Sequence, residues 1–355
     1  MGIYILILQK ISFMENYQIK SAIIFFLSVI LFSSCKEKGT ITVSIIETTD
    51  IHGVIFPYDY IDMKPLDASL AHVASFIKRE RKQNDVVFLF DNGDNIQGQP
   101  AVYYYNYIDT VSPHLMSEAF NYLEYDAVTA GNHDIEAGHS VYDRLISAYE
   151  FPVLAANAVD IRSGKPYFKP YVILEKKGIK VAVFGLITPS VPNWLPEELY
   201  SGIEFRDMVR TAELWMPQIK KEDPDLIVGL FHSGWNRDDT GYRASEENGS
   251  AAVAYNVPGF DIIFTGHDHR TVNESFINKA GDTLLILNGG SRAENIACAE
   301  ILLSVGGNRK VNIRRISGSL IETSDYQVYN EFVSGFVKQK EEVYNYVSKV
   351  IGNSL

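Results

Sequence analysis

The chain has very little cysteine, no excess of positive charge and no apolar run long enough to cross a bilayer. With only Cys35 and Cys298 in 355 residues, no disulfide is expected in the monomer, and a thiolate-rich structural zinc site is excluded. Lys and Arg number 32 against 44 Asp and Glu, a formal net charge of -12, so neither a nucleic-acid duplex nor an anionic membrane face is an electrostatic partner. An anionic small substrate would need a local positive centre. The N-terminal apolar stretch, Ser21 to Ser34, is shorter than the ~20 residues of a membrane-spanning helix. There is no internal repeat and no low-complexity linker. What is present, 46% hydrophobic residues, suffices for one large α/β domain or two smaller ones.

The Ser21–Ser34 stretch follows Lys20 and is closed by small residues and Cys35. That pattern resembles a bacterial lipoprotein signal, with cleavage before Cys35 and lipid on its thiol. The mature chain is then expected to be exported and lipid-anchored to a membrane, at the periplasmic face or the cell surface. Met14 opens a more usual signal sequence than Met1. The second cysteine, Cys298, sits in the apolar run Ile296 to Leu303 and is expected as a buried strand thiol.

From residue 41 onward, short β-branched runs alternate with helical patterns, which indicates an α/β fold. Helices are expected near 66–82, 114–123 and 207–221. Ile41–Ile46, Val86–Phe90, Ala127–Ala130, Leu226–Phe231 and Asp261–Thr265 read as strands. Tyr171–Leu174 and Val181–Ile187 read as a strand pair across the Lys176-Lys177-Gly178 turn. Thr283–Leu287, Ala297–Ser304 and Val311–Ile316 read as strands of a second sheet. Five of these runs end in polar clusters: Asp50 and His52, then Asp94, then Asn132 and His133, then His232, then His267 and His269. Open α/β sheets bind ligands at strand C-terminal ends, so the clusters are expected to converge.

Imidazoles with carboxylate and amide oxygens suit Mn, Fe or Zn. Eight such groups exceed what one ion needs. Two divalent ions sharing a carboxylate can clamp the attacking and leaving oxygens of a phosphoryl displacement, with a bridging hydroxide as nucleophile. Of the eight histidines, His72, His114 and His139 lie in helical or loop patterns without polar company and are expected in surface or core roles.

The ordered blocks Asp-x-His, Gly-Asp, Gly-Asn-His-Asp, His and Gly-His-x-His make the chain resemble the calcineurin-like metallophosphoesterases across about residues 41–320. Within them it is most similar to the bacterial 2',3'-cyclic-nucleotide 2'-phosphodiesterase/3'-nucleotidase and 5'-nucleotidase group. The supporting text includes Thr48-Thr-Asp-Ile-His-Gly53, Pro57-Tyr-Asp-Tyr60 and Asp91-Asn-Gly-Asp-Asn-Ile-Gln-Gly98. The resemblance implies an αββα sandwich of two mixed sheets flanked by helices. Residues 1–35 would be the signal with lipidated Cys35, 36–322 the metallophosphoesterase domain and 323–355 a C-terminal amphipathic helix. Asp50, His52, Asp94 and His269 would hold one ion, and Asn132, His232, His267 and the shared Asp94 the other.

By the same likeness His133 is left to protonate the leaving oxygen of a nucleotide phosphoester. Its orienting acid, Asp in the 5'-nucleotidases, is here Glu136, which either orients His133 or caps a helix. Asp134 is a cap or a substitute for Glu136. Two other readings share the fold: a nucleotide-capturing surface lipoprotein without catalysis, and a phosphatase or thiohydrolase with a different substrate. The two-domain relatives stack the base on a further domain. The apolar stripe Val328 to Ile351 either folds back on its own domain or docks a separate base-binding subunit.

Overall fold

In the computed structural model, which describes residues 40–241, 247–305 and 311–349, the β-branched runs form two six-stranded sheets. Ser21–Ser34, Cys35 and Ile351 lie outside the described residues. No helix of the described residues is long and apolar enough to cross a membrane.

The first sheet contains β1 (Thr40–Thr48), β2 (Val86–Asp91), β3 (Ala127–Thr129) and β4 (Val153–Leu154). The second contains β5 (Tyr171–Lys176), β6 (Ile179–Ile187), β7 (Leu226–His232), β8 (Ile262–Thr265), β9 (Thr271–Ile277) and β10 (Thr283–Gly289). Two late strands, β11 (Asn295–Val305) and β12 (Val311–Glu322), return to the first sheet. The strand orders are β12-β11-β1-β2-β3-β4 and β9-β10-β8-β7-β6-β5. β1 to β4 pair in parallel, as do β6, β7, β8 and β10, whereas β5/β6, β9/β10 and β11/β12 are antiparallel.

This corrects the expected placement of the three late runs in one second sheet. β10 joins the sheet of β6, β7 and β8, while β11 and β12 extend that of β1. β10 and much of β11 are apolar and buried, and such a strand reads the same in either sheet, so its membership is not written in its own residues.

Alternation along the strands builds the layers. Val43 and Ile45 of β1, Phe88 and Phe90 of β2, Val181 and Val183 of β6 and Val228 and Leu230 of β7 fill the core between the sheets. The other face of β1 and β2, with Ile46 and Leu89, packs on helices α1 (Leu70–Gln83) and α2 (Leu115–Tyr122). Ala182, Phe184 and Ile227 face α5 (Met208–Lys221) and α6 (Ser250–Asn256), which follow α3 (Asn132–Glu136) and α4 (His139–Ala148) in the chain. The result is the αββα sandwich that the resemblance implies. His114 caps α2 by accepting from Met116 N at 3.1 Å, and Asp207 caps α5 by accepting from Arg210 N at 2.7 Å. Cys298 is free and buried, and burial pushes its thiol up to about 11.

The expected C-terminal helix is two shorter ones, α7 (Asn330–Gly335) and α8 (Val337–Val347), with Phe336 at the break. Gly335 is a poor helix former, and stopping there turns Phe336 inward beside Phe332. Phe332, Phe336 and Val343 are buried in the core outside the first sheet. Tyr122 meets Phe332 and Phe336 edge-on, at 5.6 and 5.8 Å between ring centroids. Tyr105 Oη donates to Glu342 at 2.9 Å. The stripe folds back on its own domain, and of its apolar residues in α8 Val337 and Tyr344 stay exposed.

Phe332→Ala should therefore lower the unfolding free energy by about 3–5 kcal/mol, the usual cost of emptying a buried aromatic site. Urea denaturation checks this, and an unchanged midpoint would contradict the packing described.

Candidate metal centre

The polar clusters meet where the C-terminal ends of the two sheets come together. Asp50, Asp94 and Asn132 follow β1, β2 and β3, while His232 ends β7 and His267 and His269 follow β8. Hydrogen bonds stitch this seam. Asn92 Nδ2 donates to Phe231 O at 3.0 Å, His232 Nδ1 lies 2.6 Å from Asn92 O, and His267 N donates to Asp50 Oδ2 at 3.0 Å.

The backbone is strained where these side chains are presented. Asp50, His52, Asp94, His267 and His269 all have left-handed φ, between 50° and 74°. Such conformations cost about 1 kcal/mol or more for a residue with a Cβ and persist where the surroundings over-determine them. Two glycines allow the turns after β2 and β3 to touch. Gly93 has φ 90°, and a Cβ there would lie 2.6 Å from Gly131 N. At Gly131 a Cβ would lie 2.1 Å from Asp94 Oδ1. Asp134 braces the same junction: its two oxygens accept from Gly131 N and Asp94 N, both at 2.9 Å, and from Asn95 N at 2.8 Å.

The structure gathers the expected ligands into two groups, Asp50/His52/His269 and Asp94/His232/His267. Within each group one donor atom per residue lies within 4.8 Å of the others. His52 Nε2 is 3.0 Å from His269 Nε2, and His269 Nε2 is 3.3 Å from Asp50 Oδ1. In the other group His232 Nε2 is 3.1 Å from Asp94 Oδ2 and 3.1 Å from Asn132 Oδ1.

The donor chemistry fits divalent ions. Among the described residues, the fully buried Asp50 Oδ1 has no hydrogen-bond partner. His52 Nδ1 lies 3.1 Å from Gln97 O and His232 Nδ1 faces Asn92 O, so a proton held there leaves each Nε2 lone pair aimed into its group. Burial alone would lower the His232 imidazole, but the Asp94 carboxylate raises it to about 10. Burial works against the Asp94 carboxylate in turn, and His232, His133 and His52 hold it below the usual range. Both shifts follow from the opposite charges of Asp94 and His232 meeting at 3.1 Å in a buried place.

His133 and Glu136 stand three apart on α3, with His133 Nδ1 2.5 Å from Glu136 Oε2. Their side chains are 35% and 41% exposed, so the pair opens outward while Asp50 and Asp94 are buried. His133 N also donates to Asp94 Oδ1 at 2.7 Å. The longer glutamate thus reaches the ring, and the backbone amides are capped by Asp134.

His72, His114 and His139 lie elsewhere, paired with Ser69, with Asn106 and with Asp143. Two neighbours escaped the sequence reading. Glu247 Oε1 lies 3.0 Å from His267 Nε2, and Trp194, 43% exposed, packs its ring 5.4 Å from that of His267. Neither carries a local motif, so nothing in its flanking residues marks it.

The profile of the family described as Calcineurin-like phosphoesterase matches residues 43–271. A 2',3'-cyclic-nucleotide 2'-phosphodiesterase/3'-nucleotidase from Haemophilus influenzae is 32% identical over 266 residues, 71% of this chain and 40% of that protein. The trifunctional nucleotide phosphoesterase protein YfkN of Bacillus subtilis is 35% identical over 242 residues, 64% of this chain and 16% of that protein. A crystal structure of the calcineurin-like phosphoesterase YfkN from Bacillus subtilis superposes with a TM-score of 0.78 at 27% identity, covering 87% of this chain and all of that one. The chain therefore matches less than half the length of these two curated relatives.

Proposed function

The chain belongs to the calcineurin-like phosphoesterase family, and from that premise we propose that it hydrolyses nucleotide phosphoesters, whether 2',3'-cyclic, 3'- or 5'-linked, at a centre of two divalent ions. The observation that carries this reading is the pair of ligand groups on one seam with the outward-facing His133–Glu136 pair beside them. Asp50, His52, Asp94 and His269 would hold one ion, and Asn132, His232, His267 and Asp94 the other, with Mn, Zn or Fe matching the donors. When bound, such ions act as Lewis acids toward a phosphoryl oxygen and lower the pKa of water. They also supply the positive centre that a chain of net charge -12 lacks.

The chain's own groups then divide the remaining work. His133 gives a proton to the ester oxygen as the bond from that oxygen to phosphorus breaks and water adds to phosphorus. Glu136, at 2.5 Å from Nδ1, fixes the ring's orientation. The left-handed turns and the Asp134 brace hold the donors in place before substrate arrives. A separate base-binding subunit would have to dock on the exposed edge of α8, where Val337 and Tyr344 are exposed while Phe332, Phe336 and Val343 are buried.

Asp94→Ala should abolish turnover and lower bound metal from two ions to one or none, measured by elemental analysis of the purified chain. Two ions still bound per chain would remove the shared-ligand assignment. His133→Ala should keep the metal content while kcat falls about 10²- to 10⁴-fold on nucleotides. The fall should be smaller on p-nitrophenyl phosphate, whose leaving group needs little protonation, and an equal fall on both would contradict the acid role. We also propose that Cys35 carries the lipid anchor, on the evidence of the Ser21–Ser34 run that precedes it. Cys35→Ser should move the chain from the detergent to the aqueous phase on partitioning, and an unchanged distribution would refute the anchor.

A further inference from the structure

Between the turn at Gly98 and α2, the chain forms a short helix, Pro100–Tyr103, that widens into a π-helical turn, Tyr104–Ile108. Single π-turns are rare and cluster at functional sites. This one is held from within. Asn106 Nδ2 donates to Ile96 O at 2.7 Å, His114 Nε2 lies 2.8 Å from Asn106 Oδ1, and the Arg144 guanidinium donates to the carbonyls of Tyr105 and Thr110. Ile96 N in turn donates to Asp134 Oδ1 at 3.3 Å, so the turn is tied to α3, which carries His133 and Glu136.

Its outward residues have no such commitments to the core. Tyr103 and Tyr107 stand four apart with rings edge-to-face, 5.1 Å between centroids, and each is 48% exposed. Asn106, the residue before Tyr107, is joined through Ile96 to Asp134 on the helix that carries His133 and Glu136, and partial burial and then the Glu136 carboxylate raise the Tyr107 hydroxyl above its ordinary value, in keeping with that placement. A general acid must lie within hydrogen-bond reach of the leaving oxygen, so the leaving nucleoside extends on the His133 side of the centre. Trp194, another exposed ring, packs instead on His267 of the second ligand group.

We propose that Tyr103 and Tyr107 form the platform on which the base of the leaving nucleoside stacks. The inference rests on the hydrolase reading for its direction and gives this chain base contacts of its own. Stacking accepts any base because every base presents a π-face, so the expected selectivity is for nucleosides over ribose and not for one base over another.

Titration calorimetry of the metal-loaded chain with adenosine, and separately with ribose, tests it. Adenosine should bind and ribose should not. Tyr103→Ala and Tyr107→Ala should each weaken adenosine binding about 5- to 100-fold. Tyr107→Phe should retain it, because the ring and not the hydroxyl makes the contact. Since both tyrosines are half-exposed, the urea unfolding midpoint and the bound-metal content should be unchanged in all three variants, which serves as the check on folding. Three results would overturn the platform: adenosine binding unchanged in both alanine variants, binding lost in Trp194→Ala instead, or no adenosine binding to the unaltered chain, which would assign base recognition to another polypeptide. Tyrosine-dependent adenosine binding without turnover of any phosphoester would sink the hydrolase reading and leave the platform standing.

Discussion

The structure around the seam is organised by two buried anions. Asp50 and Asp94 are at most 1% exposed, and removing a carboxylate from water costs several kcal/mol unless cations and hydrogen bonds compensate. Asp94 has imidazoles on several sides, and Asp50 Oδ1, which accepts no hydrogen bond among the described residues, faces His269 Nε2 at 3.3 Å. The left-handed turns, the close approach at Gly93 and Gly131, and the Asp134 brace are all local solutions to placing these two charges side by side. They fit the proposal that the two donor groups of this family's phosphoesterase site hold divalent cations.

Much of this was legible in the sequence because each block is local. Asp-x-His and Gly-His-x-His put a donor, a spacer and a donor within three residues, and a tight turn after a strand aims both toward one region. Sheet membership is a different kind of information. β2 and β6 are both apolar runs, and which sheet each joins depends on partners far along the chain. β4, the pair Val153 and Leu154, is too short to carry a period at all. The tail read as one helix because the apolar spacing continues through Gly335, and only the three-dimensional demand of burying Phe332 and Phe336 together breaks it. Glu247 and Trp194 reach His267 from separate loops, so no spacing rule could have found them.

Asp134 and Glu136 illustrate how side-chain length sorts otherwise similar groups. Both are acids on the first turns of one short helix. The shorter one is level with the amides of Gly131, Asp94 and Asn95 and is consumed by them, whereas the longer one clears the turn and meets His133. Two residues apart on a helix, the two acids also point about 200° apart, so position as well as length separates their partners.

Each ligand group draws on both sheets: Asp50 and His52 from the first with His269 from the second, and Asp94 from the first with His232 and His267 from the second. The apolar layer between the sheets, with Phe88, Phe90, Phe264 and Leu287, is thus a spacer whose thickness sets how far apart the donors of each group stand. Interiors are packed densely enough that one methylene more or less displaces its neighbours. Preference for one ionic radius over another can consequently be adjusted by aliphatic and aromatic residues that never touch an ion, and adaptation to a new metal supply could proceed through the greasy middle of the protein while every ligand stays the same.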